Sequence, residues 1–81
     1  MHAHFSEHFQ RSYASAPIPI QHTFNRKLEL LLRDLRHPSL RAKKYDETRD
    51  LWQARVTRQW RFYFTIIGDT YRLHDITAHP D

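Results

Sequence analysis

The sequence predicts an α+β fold, in which an N-terminal helix hairpin packs on one face of a small curved antiparallel β-sheet. Apolar residues before His37-Pro38 recur every three or four positions, as on one face of a helix. After that point they recur every second position, as on one face of a strand. The predicted strands are joined by short turns, which favour antiparallel pairing. A length of 81 residues allows a single domain, spanning residues 1–81.

The first helix is predicted from its cap and its aromatic spacing. Ser6 is a suitable N-cap, and Phe5, Phe9 and Tyr13 repeat every four residues on one helical face. The segment 16–19, Ala-Pro-Ile-Pro, ends this helix because proline cannot continue it. Residues 1–4 are a candidate for a short strand before the helix.

The second helix begins at Pro19, a residue type that suits the first helical position. Its apolar stripe consists of Ile20, Phe24, Leu28, Leu31 and Leu35, widened by Leu32. Because Lys27, Arg33 and Asp34 fall away from this stripe, they are predicted to face solvent. The two helices are therefore expected to share one apolar seam.

Four strands are predicted after the helices. They cover residues 40–45, 51–58, 60–67 and 71–77, with turns at 46–50 and 68–70. In the last strand Leu73 and Ile76 fall on opposite faces of a regular strand, so both can be buried only if a β-bulge lies between them.

Charge and composition limit the classes of function. The net charge is +4, and the segment from Arg36 to Arg61 holds eight cations against three anions. Such a segment suits an acidic partner, either nucleic acid or protein, although it is also compatible with a solvated face of ion pairs. The absence of cysteine excludes disulfides, thiol catalysis and cysteine-ligated zinc. No apolar run approaches the roughly 18 residues of a membrane span, and no signal peptide is legible, so a cytoplasmic location is expected.

Metal and phosphate-loop motifs are not evident. The single glycine excludes a glycine-rich phosphate loop. His2 and His4 share a face of the candidate N-terminal strand but lack a third ligand, and are interpreted as ordinary surface histidines. We therefore predict neither a metal site nor a cofactor.

A cationic patch is predicted on the face of the sheet that the helices leave uncovered. If the alternate apolar positions face the helices, then Arg55, Arg61 and Tyr63 project from the opposite face. Arg61 is too expensive to bury unpaired and must reach an acid or water. The end of the last strand carries His79, and the first sheet strand carries Lys43 and Lys44.

These residue types are sufficient to cleave RNA without a metal. A base takes the 2′-hydroxyl proton, an acid protonates the leaving 5′-oxygen, and cations stabilise the charge that develops on phosphorus. The spacing alone favours the alternative, a face that binds phosphate or an acidic protein and performs no catalysis.

Five segments in order resemble the RelE/ParE toxin superfamily of type II toxin–antitoxin systems, in particular its RelE-like, HigB-like and YafQ-like members. They are residues 37–45 (HPSLRAKKY), 51–56 (LWQARV), 60–64 (WRFYF), 68–70 (GDT) and 76–79 (ITAH). The resemblance covers nearly the whole chain, from Phe5 to His79. It implies a helix hairpin on a curved antiparallel sheet, and a toxin held inactive by a cognate antitoxin.

The resemblance also implies roles for single residues. Arg61 falls on the family's catalytic arginine, and His79 on the strand-end histidine of the HigB-like and YafQ-like members. The segment that binds the RNA backbone falls on Arg41, Lys43 and Lys44. Arg55 falls on a position that is structural or binds phosphate, and we add Tyr63 to the RNA-binding candidates.

Four functions remain open at this point. The first is a ribosome-dependent endoribonuclease that cleaves mRNA and inhibits translation. The second is a ParE-type inhibitor of DNA gyrase, which the Arg61 and His79 pair disfavours. The third is a non-catalytic, antitoxin-binding homologue. The fourth is a DNA-binding protein, for which no helix-turn-helix is legible.

Overall fold

The computed structural model describes residues 1–79 and confirms the α+β fold, with two helices packed on a five-stranded sheet. The elements in chain order are β1 (His2–Phe5), α1 (Glu7–Ser15), α2 (Ile18–Arg33), a 3₁₀ turn (Pro38–Leu40), β2 (Lys43–Asp46), β3 (Leu51–Thr57), β4 (Trp60–Ile67) and β5 (Thr70–Ala78). The strand order in the sheet is β1-β5-β4-β3-β2.

The sheet is mixed, so the prediction of a wholly antiparallel sheet is wrong for one strand. β2 to β5 pair antiparallel as predicted, but β1 pairs parallel to β5, with His2 opposite Thr70 and Phe5 opposite Leu73. A parallel pair needs a long crossover, and here all the chain between β1 and β5 supplies it. The candidate strand at the N-terminus therefore exists, and it forms one edge of the sheet.

The first helix begins where its cap predicts. The Ser6 side chain accepts a hydrogen bond from the Phe9 amide at 3.0 Å and so caps α1. α2 begins at Ile18, one residue before the predicted Pro19, and Pro17 occupies the N-cap position without a side-chain hydrogen bond. It ends at Arg33 rather than continuing through Leu35, because Asp34 adopts an extended conformation with φ −158°.

The core lies between the helices and one face of the sheet. The ring of Phe24 on α2 is 5.2 Å from that of Phe9 on α1 and 5.1 Å from that of Phe62 on β4. Phe62 in turn stacks at 5.7 Å on Phe64. All four aromatic side chains are buried, so the helix-facing side of β4 agrees with the predicted alternation.

The segment before β2 departs from the predicted strand over residues 40–45. Pro38–Leu40 forms a 3₁₀ turn, and Arg41 has a left-handed backbone with φ 45°. Proline has a fixed φ and no amide hydrogen, which favours the turn, and the His37 ring accepts a hydrogen bond from the Ser39 amide. Leu40 is buried in the core from this turn, and the strand begins only at Lys43.

Three β-bulges interrupt the antiparallel register. Each adds one unpaired residue, which is Tyr45 in β2, Val56 in β3 and His74 in β5. The bulge at His74 allows Leu73 and Ile76 to be buried together, as their spacing required.

No helix within residues 1–79 combines the length and hydropathy needed to cross a membrane.

The aromatic contact between the layers predicts the effect of a core truncation. Phe62→Ala should lower the free energy of unfolding by about 3–5 kcal/mol, because it leaves a cavity beneath Phe24 and Phe64. Ile67→Ala, on the same strand but exposed, is the matched control and should change stability by less than about 0.5 kcal/mol. Urea denaturation of both variants measures the difference, and equal midpoints would contradict the described packing.

Candidate functional site

The face of the sheet opposite the helices, here called the open face, carries the predicted site. Cross-strand partners point to the same side of a sheet, so the register identifies the residues that share this face. Its rows across the strands include Lys43, Gln53, Tyr63 and Asp75; Arg55, Arg61 and Thr77; and Thr65 and Arg72.

Two arginines lie directly opposite each other on the open face. Arg55 on β3 pairs in register with Arg61 on β4, and both side chains are half-buried. Two guanidinium groups on adjacent strands can donate hydrogen bonds to the oxygens of one phosphate group, so the pair is a candidate phosphate site.

The Arg61 side chain is anchored to the β3–β4 hairpin. Its Nη1 donates hydrogen bonds to the carbonyl oxygens of Thr57 at 2.7 Å, Arg58 at 2.7 Å and Trp60 at 3.2 Å. The expected acid or water partner is thus replaced by backbone carbonyls. Within residues 1–79, Nε and Nη2 of Arg61 have no hydrogen-bond partner, so the guanidinium is held at one nitrogen while the others can contact a ligand.

His79 lies at the same hairpin. Ala78 pairs with Trp60, and the His79 amide donates a hydrogen bond to the Gln59 carbonyl oxygen. The structure therefore brings His79, at the end of β5, to the turn that anchors Arg61. Because the two residues are 18 positions apart in the chain, only the strand pairing places them together.

Tyr63 belongs to an aromatic cluster that includes a residue the sequence did not single out. The Tyr63 hydroxyl accepts a hydrogen bond at 3.1 Å from the side-chain amide of Gln53, which is only 6% exposed. The ring of Tyr45 lies 5.2 Å from the ring of Tyr63 at an interplanar angle of 69°. No periodicity pointed to Tyr45, because it occupies a bulge.

The structure separates the three basic residues of the segment 41–44. Lys43 pairs with Gln53 and lies on the open face, whereas Lys44 pairs with Trp52 and lies on the other. The Lys44 ammonium donates to Asp50 at 3.0 Å, which raises its pKa, and it lies 5.6 Å from the centre of the Trp52 ring. Arg41 lines a cleft with Trp52 on the helix side of the sheet.

Lys27 on α2 also belongs to the cationic environment of Arg55. It was predicted to face solvent, but it is half-buried and its ammonium donates to the Ser39 carbonyl oxygen at 3.1 Å. Burial lowers the pKa of Lys27, and the charges of Arg55 and Arg26 lower it further. The apolar pattern did not predict the burial of Lys27, since that burial depends on its contact with Ser39 in the 3₁₀ turn.

The bulge in β5 places His74 on the open face. Its Nε2 lies 2.9 Å from the hydroxyl oxygen of Thr65. Burial, and then the positive charge of Arg72, lower the pKa of His74. The spacing of Leu73 and Ile76 predicted the bulge, but nothing in the sequence predicted the contact between His74 and Thr65.

A metal centre is not formed by the part of the chain that the structure describes. Within it, no group of three or more His, Asp or Glu side chains is arranged to hold a metal ion. His2 instead lies 3.7 Å from the Asp69 carboxylate.

Comparison with known proteins gives matches among solved structures. No family model and no curated relative matches the sequence. A YoeB/ParE toxin from Agrobacterium tumefaciens superposes with a TM-score of 0.81 at 13% identity, over 99% of this chain and 100% of that chain. YafQ from E. coli strain BL21(DE3) has a TM-score of 0.79 at 14% identity, over 94% and 90% of the two chains. The archaeal RelE–RelB complex from Pyrococcus horikoshii OT3 matches with a TM-score of 0.78 at 13% identity, over 95% and 92%.

The environment of His74 predicts a pH dependence of stability. Because the folded pKa lies below the unfolded value of about 6.5, the unfolded chain binds the proton first as the pH falls. This contribution to stability is present above pH 6.5 and is lost as the pH falls below it. His74→Gln should therefore lose less stability than the wild type between pH 7.5 and 5.5.

Urea denaturation at the two pH values measures this difference, and His22→Gln controls for the loss of an exposed imidazole from α2. An equal pH dependence of the wild type and His74→Gln would show that His74 does not contribute.

Proposed function

Because the chain has the fold of the RelE/ParE superfamily, we propose that it is the toxin component of a type II toxin–antitoxin system. We further propose that it is a metal-independent endoribonuclease that cleaves mRNA on the ribosome and so inhibits translation in the cytoplasm. No cofactor takes part in the proposed reaction.

One observation carries the proposal. The open face brings Arg55 and Arg61 into register, and the hairpin beside them also receives His79. Two cations and an imidazole carried by neighbouring backbone positions can supply charge stabilisation and proton transfer. A ParE-type gyrase inhibitor does not require this combination, which is why we place RNA cleavage first.

The chemistry needs no group that the chain lacks. The 2′-hydroxyl oxygen attacks phosphorus, the bond from phosphorus to the 5′-oxygen breaks, and the products carry a 2′,3′-cyclic phosphate and a 5′-hydroxyl. A base takes the 2′-hydroxyl proton and an acid protonates the 5′-oxygen. We assign proton transfer to His79 and stabilisation of the negative charge on the phosphoryl oxygens to Arg61.

The anchoring of Arg61 supports its assigned role. A charged group stabilises a transition state best when it does not have to reorganise during the reaction. The three carbonyl contacts of Nη1 hold the guanidinium in place before a substrate arrives. Lys43 and Arg55 contribute further positive charge on the same face and are assigned to the RNA backbone.

We also propose an antitoxin partner. The related fold from Pyrococcus horikoshii OT3 was solved as a RelE–RelB complex. The net charge of +4 suits an acidic segment of such a partner, which would neutralise the cationic face and block RNA. Arg41 and Lys44 lie off the open face and are available to this contact as well as to RNA.

The catalytic assignment predicts specific losses of activity. Arg61→Ala should lower the rate of cleavage of ribosome-bound mRNA by about 10²–10³-fold. His79→Ala should lower it by about 10²–10⁴-fold. Arg61→Lys should also be impaired, because one ammonium cannot both bind the hairpin carbonyls and contact the substrate.

Arg11→Ala and His22→Ala, which remove exposed side chains of the same types from the helices, are the controls and should cleave at the wild-type rate. Circular dichroism establishes that each variant is folded. Wild-type rates for folded Arg61→Ala and His79→Ala would eliminate the assignment. Growth arrest without mRNA cleavage, accompanied by inhibition of gyrase supercoiling, would replace it with the ParE-type function.

The partner assignment predicts salt-sensitive binding. The antitoxin encoded beside this chain should associate more slowly in 0.5 M than in 0.05 M salt, because screening weakens attraction between the opposite charges. It should also raise the melting temperature of the chain. Stopped-flow association and thermal denaturation measure the two effects, and a salt-independent association rate would exclude the electrostatic contact.

A further inference from the structure

We infer that the ring of Tyr45, held at 69° against the ring of Tyr63, forms a platform on which a base of single-stranded RNA stacks. The inference rests on the proposed function and extends it, because it assigns a base-binding subsite beside the phosphate-binding arginines. Neither the apolar pattern nor the family resemblance singled out Tyr45.

The exposure of Tyr45 is the first observation. Tyr45 is 56% exposed. This is unusual because an aromatic ring contributes to the stability of a fold mainly when it is buried. The ring contributes nothing to the core, which lies on the other side of the sheet. An exposed ring beside a cationic patch is the usual arrangement for stacking an unpaired base.

The bulge in β2 is the second observation. Tyr45 is the extra residue between Lys44 and Asp46 in the pairing with β3, and a bulge redirects the side chain of its strand. In a regular strand Tyr45 would also share a face with Lys43, two residues before it. The bulge increases the local twist of β2 and so changes the direction of the Tyr45 side chain. The ring instead reaches across β3 and meets Tyr63 of β4 at 5.2 Å.

The platform is held in place at Tyr63. Gln53 lies between the two tyrosines in the sheet, is 6% exposed, and donates a hydrogen bond to the Tyr63 hydroxyl. The Tyr63 hydroxyl can still donate its own hydrogen to a base edge. Tyr63 therefore needs little ordering on binding, which preserves the free energy gained by stacking.

Charges around the platform favour a nucleotide over an apolar protein segment. Lys43 lies in the same row as Gln53 and Tyr63. Arg61 is two residues from Tyr63 on β4, or about 7 Å along the strand. The nearby acidic residues already have partners, since Asp46 binds Arg49 at 2.8 Å and Asp50 binds Lys44. Asp75, opposite Tyr63 in the same row, lies 3.2 Å from Nε2 of His8.

The experiment distinguishes binding of an RNA base from binding of the sugar-phosphate backbone. Fluorescence anisotropy measures binding of the whole chain to a labelled 2′-O-methyl tetramer of adenosine, which cannot be cleaved by its own 2′-oxygen, and to an abasic tetramer of the same length. Tyr45→Ala should weaken binding of the adenosine tetramer about tenfold and leave the abasic tetramer unchanged. Tyr45→Phe should retain wild-type binding, because stacking needs the ring and not the hydroxyl.

Ile67→Ala, which removes an exposed apolar side chain from the strand that carries Tyr63, is the control and should bind both tetramers like the wild type. The inference is overturned if Tyr45→Ala weakens binding of both tetramers equally or of neither. It is also overturned if Tyr45→Phe weakens binding of the adenosine tetramer as much as Tyr45→Ala does. It is also overturned if Tyr45→Ala loses antitoxin binding alone, which would assign the ring to a protein partner.

Arg61→Ala in the same assay distinguishes this inference from the function on which it rests. Weaker binding of both tetramers by Arg61→Ala, with no effect of Tyr45→Ala, refutes the platform and leaves the phosphate site. If the wild type binds neither tetramer nor ribosome-bound mRNA, the proposed function fails and the platform fails with it.

Discussion

The contact between Phe24 of α2 and Phe62 of β4 joins the helical layer to the sheet, and the arrangement of the open face depends on it. Once Phe62 faces the helices, strand alternation sends Arg61 and Tyr63 to the opposite side. No second helical layer covers that side within residues 1–79, so it can hold charged groups that a core would exclude. The same aromatic contact that stabilises the domain therefore determines which residues lie on the open face.

The Arg55–Arg61 pair concentrates positive charge on the open face. The two residues are in register, and Lys27 adds positive charge near Arg55. The hairpin carbonyls stabilise one of these cations, because Arg61 donates to three of them. A domain of this size has little stability to spare, so a bound anion or acidic partner changes its free energy of unfolding appreciably.

Local sequence signals predicted most of the fold, and contacts between distant residues account for what they missed. The Ser6 cap, the helical stripes and the alternation of β4 depend on neighbours within a few residues, and each was correctly predicted. The parallel pairing of β1 and the left-handed Arg41 depend on segments far away in the chain or on a turn that periodicity does not reveal. For the site, alternation predicted that Arg55, Arg61 and Tyr63 share one face. The contact of Tyr45 was missed because it lies at a bulge, and Arg41 is separated from Lys43 because β2 begins only at Lys43.

The position of β5 in the sheet has a consequence for the order of biosynthesis. Among the strands of residues 1–79, β5 leaves the ribosome after the other four, yet it lies inside the sheet between β1 and β4. A nascent chain that ends before Thr70 lacks the strand that joins β1 to the rest of the sheet and that brings His79 to the Arg61 hairpin. Contacts of such large sequence separation form late and slowly. Folding of the sheet, and with it assembly of the open face, therefore requires that β5 has been synthesised.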